Sequence, residues 1–127
     1  MALDLNEQER GRLAQLVMNI FEDWRIDSDD QKALLGLPEK ESVRTLSHFR
    51  QGKPLPDEED IIERARHVLG IQSSLQRTFP LNANMPKFWL CHRNKALKGF
   101  PLQIMLEEGL PGMHRVWRHL DCTLNWV

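Results

Sequence analysis

Apolar positions along this chain recur at the three- and four-residue spacing of helices, and almost nowhere at the alternating spacing of strands. Leu13, Leu16, Val17, Ile20 and Trp24 form one such stripe, with Arg10, Arg12, Gln15, Asn19 and Glu22 on the remaining faces. Asp4 and Glu7 have capping-box spacing and predict the start of this first helix. In Asp27-Ser28-Asp29-Asp30-Gln31 the acids suit the positive end of a helix dipole, and Ser28 with Gln31 repeats the capping spacing. A second helix is therefore expected through Leu35, stopped by Gly36 and Pro38. A third is expected from Glu39 to Gly52, with Val43, Leu46 and Phe49 inward and Arg44, Thr45, Ser47, His48 and Arg50 outward. Two short helices joined by a tight glycine-containing turn have the pattern of a helix-turn-helix.

Lys53-Pro54-Leu55-Pro56-Asp57 interrupts the helical pattern, because each proline fixes φ and restrains its predecessor. Beyond it the stripe Ile61, Ile62, Ala65, Val68, Leu69 and Leu75 predicts a long helix over 57–76, closed by Pro80. Asn84 and Pro86 predict a short helix with an amide cap and a first-turn proline. Two more follow, Pro101 to Glu108 between Gly99 and Gly109, and Pro111 to about Leu124, each opening on a proline whose missing N–H costs nothing there. The expected fold class is all-α, one compact multi-helix unit. Residues 1–56 form its N-terminal helix-turn-helix region and residues 57–127 its C-terminal helical region.

Composition narrows the function. A chain of 127 residues with formal net charge -1 can bury a core, and it carries no global signature of a nucleic-acid or membrane binder. Two cysteines, Cys91 and Cys122, are too few for a disulfide scaffold; they read as small buried apolar groups in a reducing compartment, although a single bridge between them is compatible with the sequence. The acidic start lacks the apolar stretch of a signal peptide, and no segment approaches the roughly 18 apolar residues of a membrane span, so a cytoplasmic protein with no membrane partner is expected.

Cys91, His92, His114, His119 and Cys122 do not make a convincing metal set. Cys91 and His92 are neighbours whose side chains diverge by about 100 degrees on a helix, and the His119/Cys122 pair lacks the frame of a known zinc motif. No phosphate-binding loop, dinucleotide fingerprint or nucleophile elbow is present, and the acids fall mostly at helix starts. His48, His67 and Glu63 read as helix surface. No catalytic residue, metal or cofactor is expected.

Asn94-Lys95-Ala96-Leu97-Lys98-Gly99-Phe100-Pro101-Leu102, Met105-Leu106-Glu107-Glu108-Gly109-Leu110, Val116 and Leu120-Asp121 supply the most specific signal. Together they resemble the toxin-binding domain of Xre/MbcA/ParS antitoxins: an N-x-A-L, a G-x-P-L, a glycine-leucine turn and a closing V-x-x-x-L-D helix. Val68-Leu69-Gly70, Phe79-Pro80 and Phe88-Trp89-Leu90 extend the likeness, which covers roughly Ile61 to Asp121. Leu34-Leu35-Gly36 and the helix after it resemble the Xre-like helix-turn-helix of that family. The resemblance implies an antitoxin that binds a RES-domain, NAD-consuming toxin and covers its active site with the C-terminal region. Operator DNA binding is expected as well, and because a single module makes few contacts, a dimer reading two half-sites; homodimers and hetero-oligomers with the toxin are the expected assemblies. The alternative is a stand-alone transcriptional regulator or partitioning-like adaptor of the same fold.

Two residue sets carry these expectations. Toxin contact falls to Arg115, Arg118, Leu124, Asn125, Trp126 and Val127, with Trp126 either an interface anchor or folded back on its own core. Arg115 and Arg118 either ring that anchor or form plain solvated surface. DNA contact falls to Arg44, Thr45, Ser47, His48, Arg50 and Lys53, an interval with basic residues and no acid, where arginine reads guanine or phosphate and the others hold the backbone. Glu39 and Glu41, at the expected front of that helix, would oppose phosphates. A helix-turn-helix kept only for packing is the competing reading.

Overall fold

Seven helices and no strand make up the described part of the chain: α1 (Glu7–Asp23), α2 (Ser28–Leu35), α3 (Val43–Arg50), α4 (Glu59–Thr78), α5 (Met85–Cys91), α6 (Pro101–Glu108) and α7 (Leu110–Asn125). The computed structural model describes residues 4–125, with the side chains of 123–125 left aside. The all-α expectation holds. α4 lies along α7 and also packs against α1, α2 and α5, while α6 rests on α7 and α3 rests on α1.

One continuous core joins the two halves. Trp24, Phe21, Phe49, Leu34 and Leu46 from the N-terminal side are buried in the same cluster as Leu75, Leu90, Met105 and Val116. The indole N–H of Trp24 donates to Gln72 Oε1 at 2.8 Å, so a buried donor on one side is satisfied by a buried amide on the other.

Helix starts differ from the expected ones. Asn6, not Asp4, caps α1, in a full capping box with Glu9. Asp27 caps α2 by accepting from the Asp30 amide, which leaves Ser28 as the first helical residue. Gly36 ends α2 in the left-handed conformation, at φ 74, as expected. Asn84 precedes α5 without a side-chain cap. α4 begins two residues late, at Glu59, and runs to Thr78.

The largest departure is α3, which begins at Val43 behind a Ser42 cap and not at Glu39. The reason is Lys32. Its ammonium is buried and donates to the carbonyl oxygens of Glu39 at 3.2 Å and Glu41 at 3.0 Å, with the Asp29 carboxylate at 3.5 Å. Those carbonyls answer a charge from α2 and are held out of a helix. Two inward assignments also fail: Leu16 and Val43 are exposed, because α3 covers α1 beside Leu16 and turns Leu46 and Phe49, not Val43, to the core.

Candidate functional site

α3 presents the first candidate surface. With Leu46 and Phe49 buried, the opposite face carries Arg44, Ser47 and His48; Arg44 and His48 are exposed and Ser47 is half-buried. Thr45 sits on the shoulder of the helix, where its hydroxyl donates to the Glu41 carboxylate at 2.8 Å. Glu41 is thereby occupied at the helix start. Arg50 is exposed but flanks the face, lining a cleft with Glu22, Arg25 and Asp27.

Lys53 is exposed beyond the end of the helix, with its backbone N–H bound to the His48 carbonyl at 2.9 Å. The segment after it is clasped to α1: Arg10 Nε donates to the Leu55 carbonyl at 3.0 Å, and Gly11 meets the backbone of Gly52 where a Cβ would have no room. The structure thus gathers Arg44, Ser47 and His48, sets Thr45 and Arg50 to either side, and leaves Lys53 at the end. Among the described residues, no carboxylate lies within ion-pair distance of Arg44, Arg50 or Lys53. The connection from α2 to α3 spans residues 36–42, longer than the three- or four-residue turn of a simple helix-turn-helix.

The second candidate surface is the outer stripe of α7, where His114, Arg115, Arg118 and Cys122 are exposed at helical spacing. The preceding motif residues build its support. Asn94 Oδ1 accepts from the Leu97 amide at 3.0 Å, and Asn94 and Gly99 pair through their backbones, closing a tight turn. Pro101 is the buried first residue of α6, and Gly109 ends that helix at φ 68. Val116 and Leu120 bury the inner face of α7. Arg115 belongs to both roles: its guanidinium donates to the Leu97 carbonyl and pairs with Glu108 at 3.2 Å, although its side chain is 43% exposed. Arg118 is exposed. Leu124 and Asn125 have only their backbone described, and Trp126 and Val127 lie outside the described residues.

Three side chains are placed otherwise than the sequence suggests. Cys91 is half-buried and Cys122 exposed, both as free thiols, so neither is a buried apolar group. Helical position explains this: Cys122 falls on the outer stripe of α7, and Cys91 ends α5. His67 is buried, not surface, because α7 covers it with His114 and Trp117. His67 Nδ1 donates to the Glu63 carbonyl at 2.7 Å, and its Nε2 lies 3.4 Å from His114 Nδ1. Among the described residues no three His, Cys, Asp or Glu side chains converge as a metal set, and no helix is long and apolar enough to cross a membrane.

Phe88 and Phe100, 53% and 47% exposed, belong to the motifs that resemble the family, yet sequence reasoning gives them no role at either surface. Phe88 stacks on His92, with ring centroids 3.6 Å apart, and Phe100 precedes Pro101 at the mouth of α6. The signal was available in Gly99-Phe100-Pro101, where Phe100 falls just outside a helix that begins with proline.

No family model matches the chain. The uncharacterised protein y4oB of Sinorhizobium fredii (strain NBRC 101917 / NGR234) is 30% identical over 103 residues, which span 80% of this chain and 76% of that protein. At that identity over that share of both sequences, the chain belongs to the same family as y4oB.

Proposed function

We propose that this chain is an antitoxin of the Xre/MbcA/ParS type that binds a RES-domain, NAD-consuming toxin and occludes its active site with its C-terminal region. The observation that carries the reading is the division of labour around α7. The residues that resemble the family motif, Asn94, Leu97, Gly99, Pro101 and Gly109, all serve to brace α6 and α7 from within. The outer stripe with Arg115 and Arg118 is exposed among the described residues, Arg115 also holding the Leu97 carbonyl and Glu108. Catalysis is assigned to the toxin, and this chain acts sterically. Leu124 and Asn125, the last residues of α7, and Trp126 and Val127, next in the sequence, supply the plug in this reading, with Trp126 the anchor.

Operator binding is assigned to α3. Exposed cations at Arg44, Arg50 and Lys53 support it, and a dimer reading two half-sites would supply the affinity that one short helix lacks. Cytoplasmic residence and homodimers that join the toxin as hetero-oligomers complete the reading.

Co-expression with the protein encoded next to this chain tests it. A stable complex in which the neighbour's NAD consumption is suppressed is expected. A neighbour that purifies alone with full activity would overturn the antitoxin reading, while retained binding of upstream DNA would then favour a stand-alone regulator.

A further inference from the structure

A groove of about 530 Å³ runs between α5, α6 and the start of α2, away from both surfaces described above. Its apolar wall is made by Phe100, Leu102 and Leu106 with Cys91, and Leu90 closes the floor. Phe100 is 47% exposed and Leu102 and Leu106 are half-buried, so an apolar strip faces solvent along α6. The pattern follows from α6 itself: Pro101, Ile104 and Met105 face the core, and 102 and 106 share the next face round, four residues apart.

The charged side chains that line the groove are acidic. Among the described residues that line it, the only charged side chains are Asp30 and Glu107, and Gln103 holds the Glu107 carboxylate at 2.9 Å. Asp27 and Asp29 stand beside Asp30 and push its carboxyl above the usual range, after the larger effect of its own burial. Lys87 is the opposing cation; it acts on Asp30 in the other direction, and its ammonium is held 3.4 Å from the Arg25 carbonyl. Lys32 is buried under the 36–42 turn.

We infer that this groove docks an amphipathic helical segment of a partner protein, with apolar side chains seated on Phe100, Leu102 and Leu106 and flanking lysine or arginine residues answering Asp30 and Glu107. An acidic rim around an apolar floor selects such a segment against an acidic one, because a carboxylate brought beside Asp30 and Glu107 would be repelled. The groove is separate from the toxin contacts proposed on α7 and the DNA contacts proposed on α3, since no residue of either helix lines it.

The probe is a synthetic helical peptide of leucine and lysine, with a leucine and glutamate peptide of the same pattern as control, added to the isotope-labelled 127-residue chain and followed by NMR. The lysine peptide is expected to shift resonances within residues 90–107, and to bind about tenfold more weakly to Phe100→Ser. Because Phe100 also leads into α6, a second variant, Asp30→Asn with Glu107→Gln, alters the rim without touching an apolar contact. It is expected to erase the preference for lysine over glutamate, as is raised salt. The inference is overturned by equal binding of both peptides to the parent chain, by shifts elsewhere or none, or by concentration-dependent self-association through residues 100–107 that Phe100→Ser abolishes. That last result would make a second copy the occupant.

Discussion

Gly70 of α4 faces the indole of Trp117 on α7 so closely that a Cβ at position 70 would stand 2.1 Å from Cζ2 and 2.2 Å from Cε2. Helix propensity alone favours alanine over glycine inside a helix by about 1 kcal/mol. Here packing decides the sign, because the obstacle is a large ring wedged against His67. Gly70→Ala is expected to lower stability by about 1–3 kcal/mol, the usual cost of overpacking. Urea denaturation measures it, and a variant as stable as the parent would show that α4 and α7 separate easily.

Lys32 governs the turn before α3. Lys32→Met keeps the bulk of the stem but leaves the Glu39 and Glu41 carbonyls without their donor, for an expected loss of about 1–3 kcal/mol. The readout specific to this role is hydrogen exchange, which should quicken at residues 42–46 before it quickens in α4. Uniform acceleration across the chain would assign Lys32 a global role instead.

The two arginines proposed for toxin contact are not equivalent probes. Arg115 fastens the Leu97 carbonyl within the fold, so Arg115→Ala is expected to lower thermal stability as well as partner binding. Arg118 is exposed, and Arg118→Glu is expected to weaken partner binding with an unchanged melting temperature. Binding assays paired with thermal melts check the contrast. Loss of stability in Arg118→Glu would place that side chain in the fold.

Acid titration reports on the start of α2. Burial, then Asp27, then Asp29 raise the Asp30 carboxyl above its ordinary value of 3.8, and Lys87 pulls the other way. A raised folded-state value means that the ionised form is disfavoured in the native chain. The resulting penalty is absent well below 3.8, grows as pH rises through the window between the ordinary and raised values, and is complete above it. Carbon-detected NMR of the Asp30 carboxyl should give a midpoint above 3.8, and Lys87→Met should move it higher still. A midpoint at or below the ordinary value would contradict this arrangement of charges.

Elements punctuated locally were legible in the sequence. α6 runs from Pro101 to Glu108 as expected, because a proline at its first position and Gly109 just past its end are strong local signals, and Gly36 stops α2 for the same kind of reason. What depended on a distant partner was not legible. α3 starts late because Lys32 reaches forward from α2, and His67 is buried because α7 supplies Trp117 to cover it. The candidate surfaces divide in the same way. Arg44, Ser47 and His48 share a face that helical spacing alone predicts, whereas the internal duty of Arg115 depends on the folded position of the 94–99 turn.

The most direct measurement is the rate of NAD consumption by the RES-domain toxin proposed as the partner, titrated with this chain and with a version lacking Leu124–Val127. The account predicts stoichiometric suppression by the full chain, and marked loss of suppression by the shortened one while its helical circular dichroism is kept. Undiminished consumption in the presence of the full chain, or equal suppression by the shortened one, would contradict it.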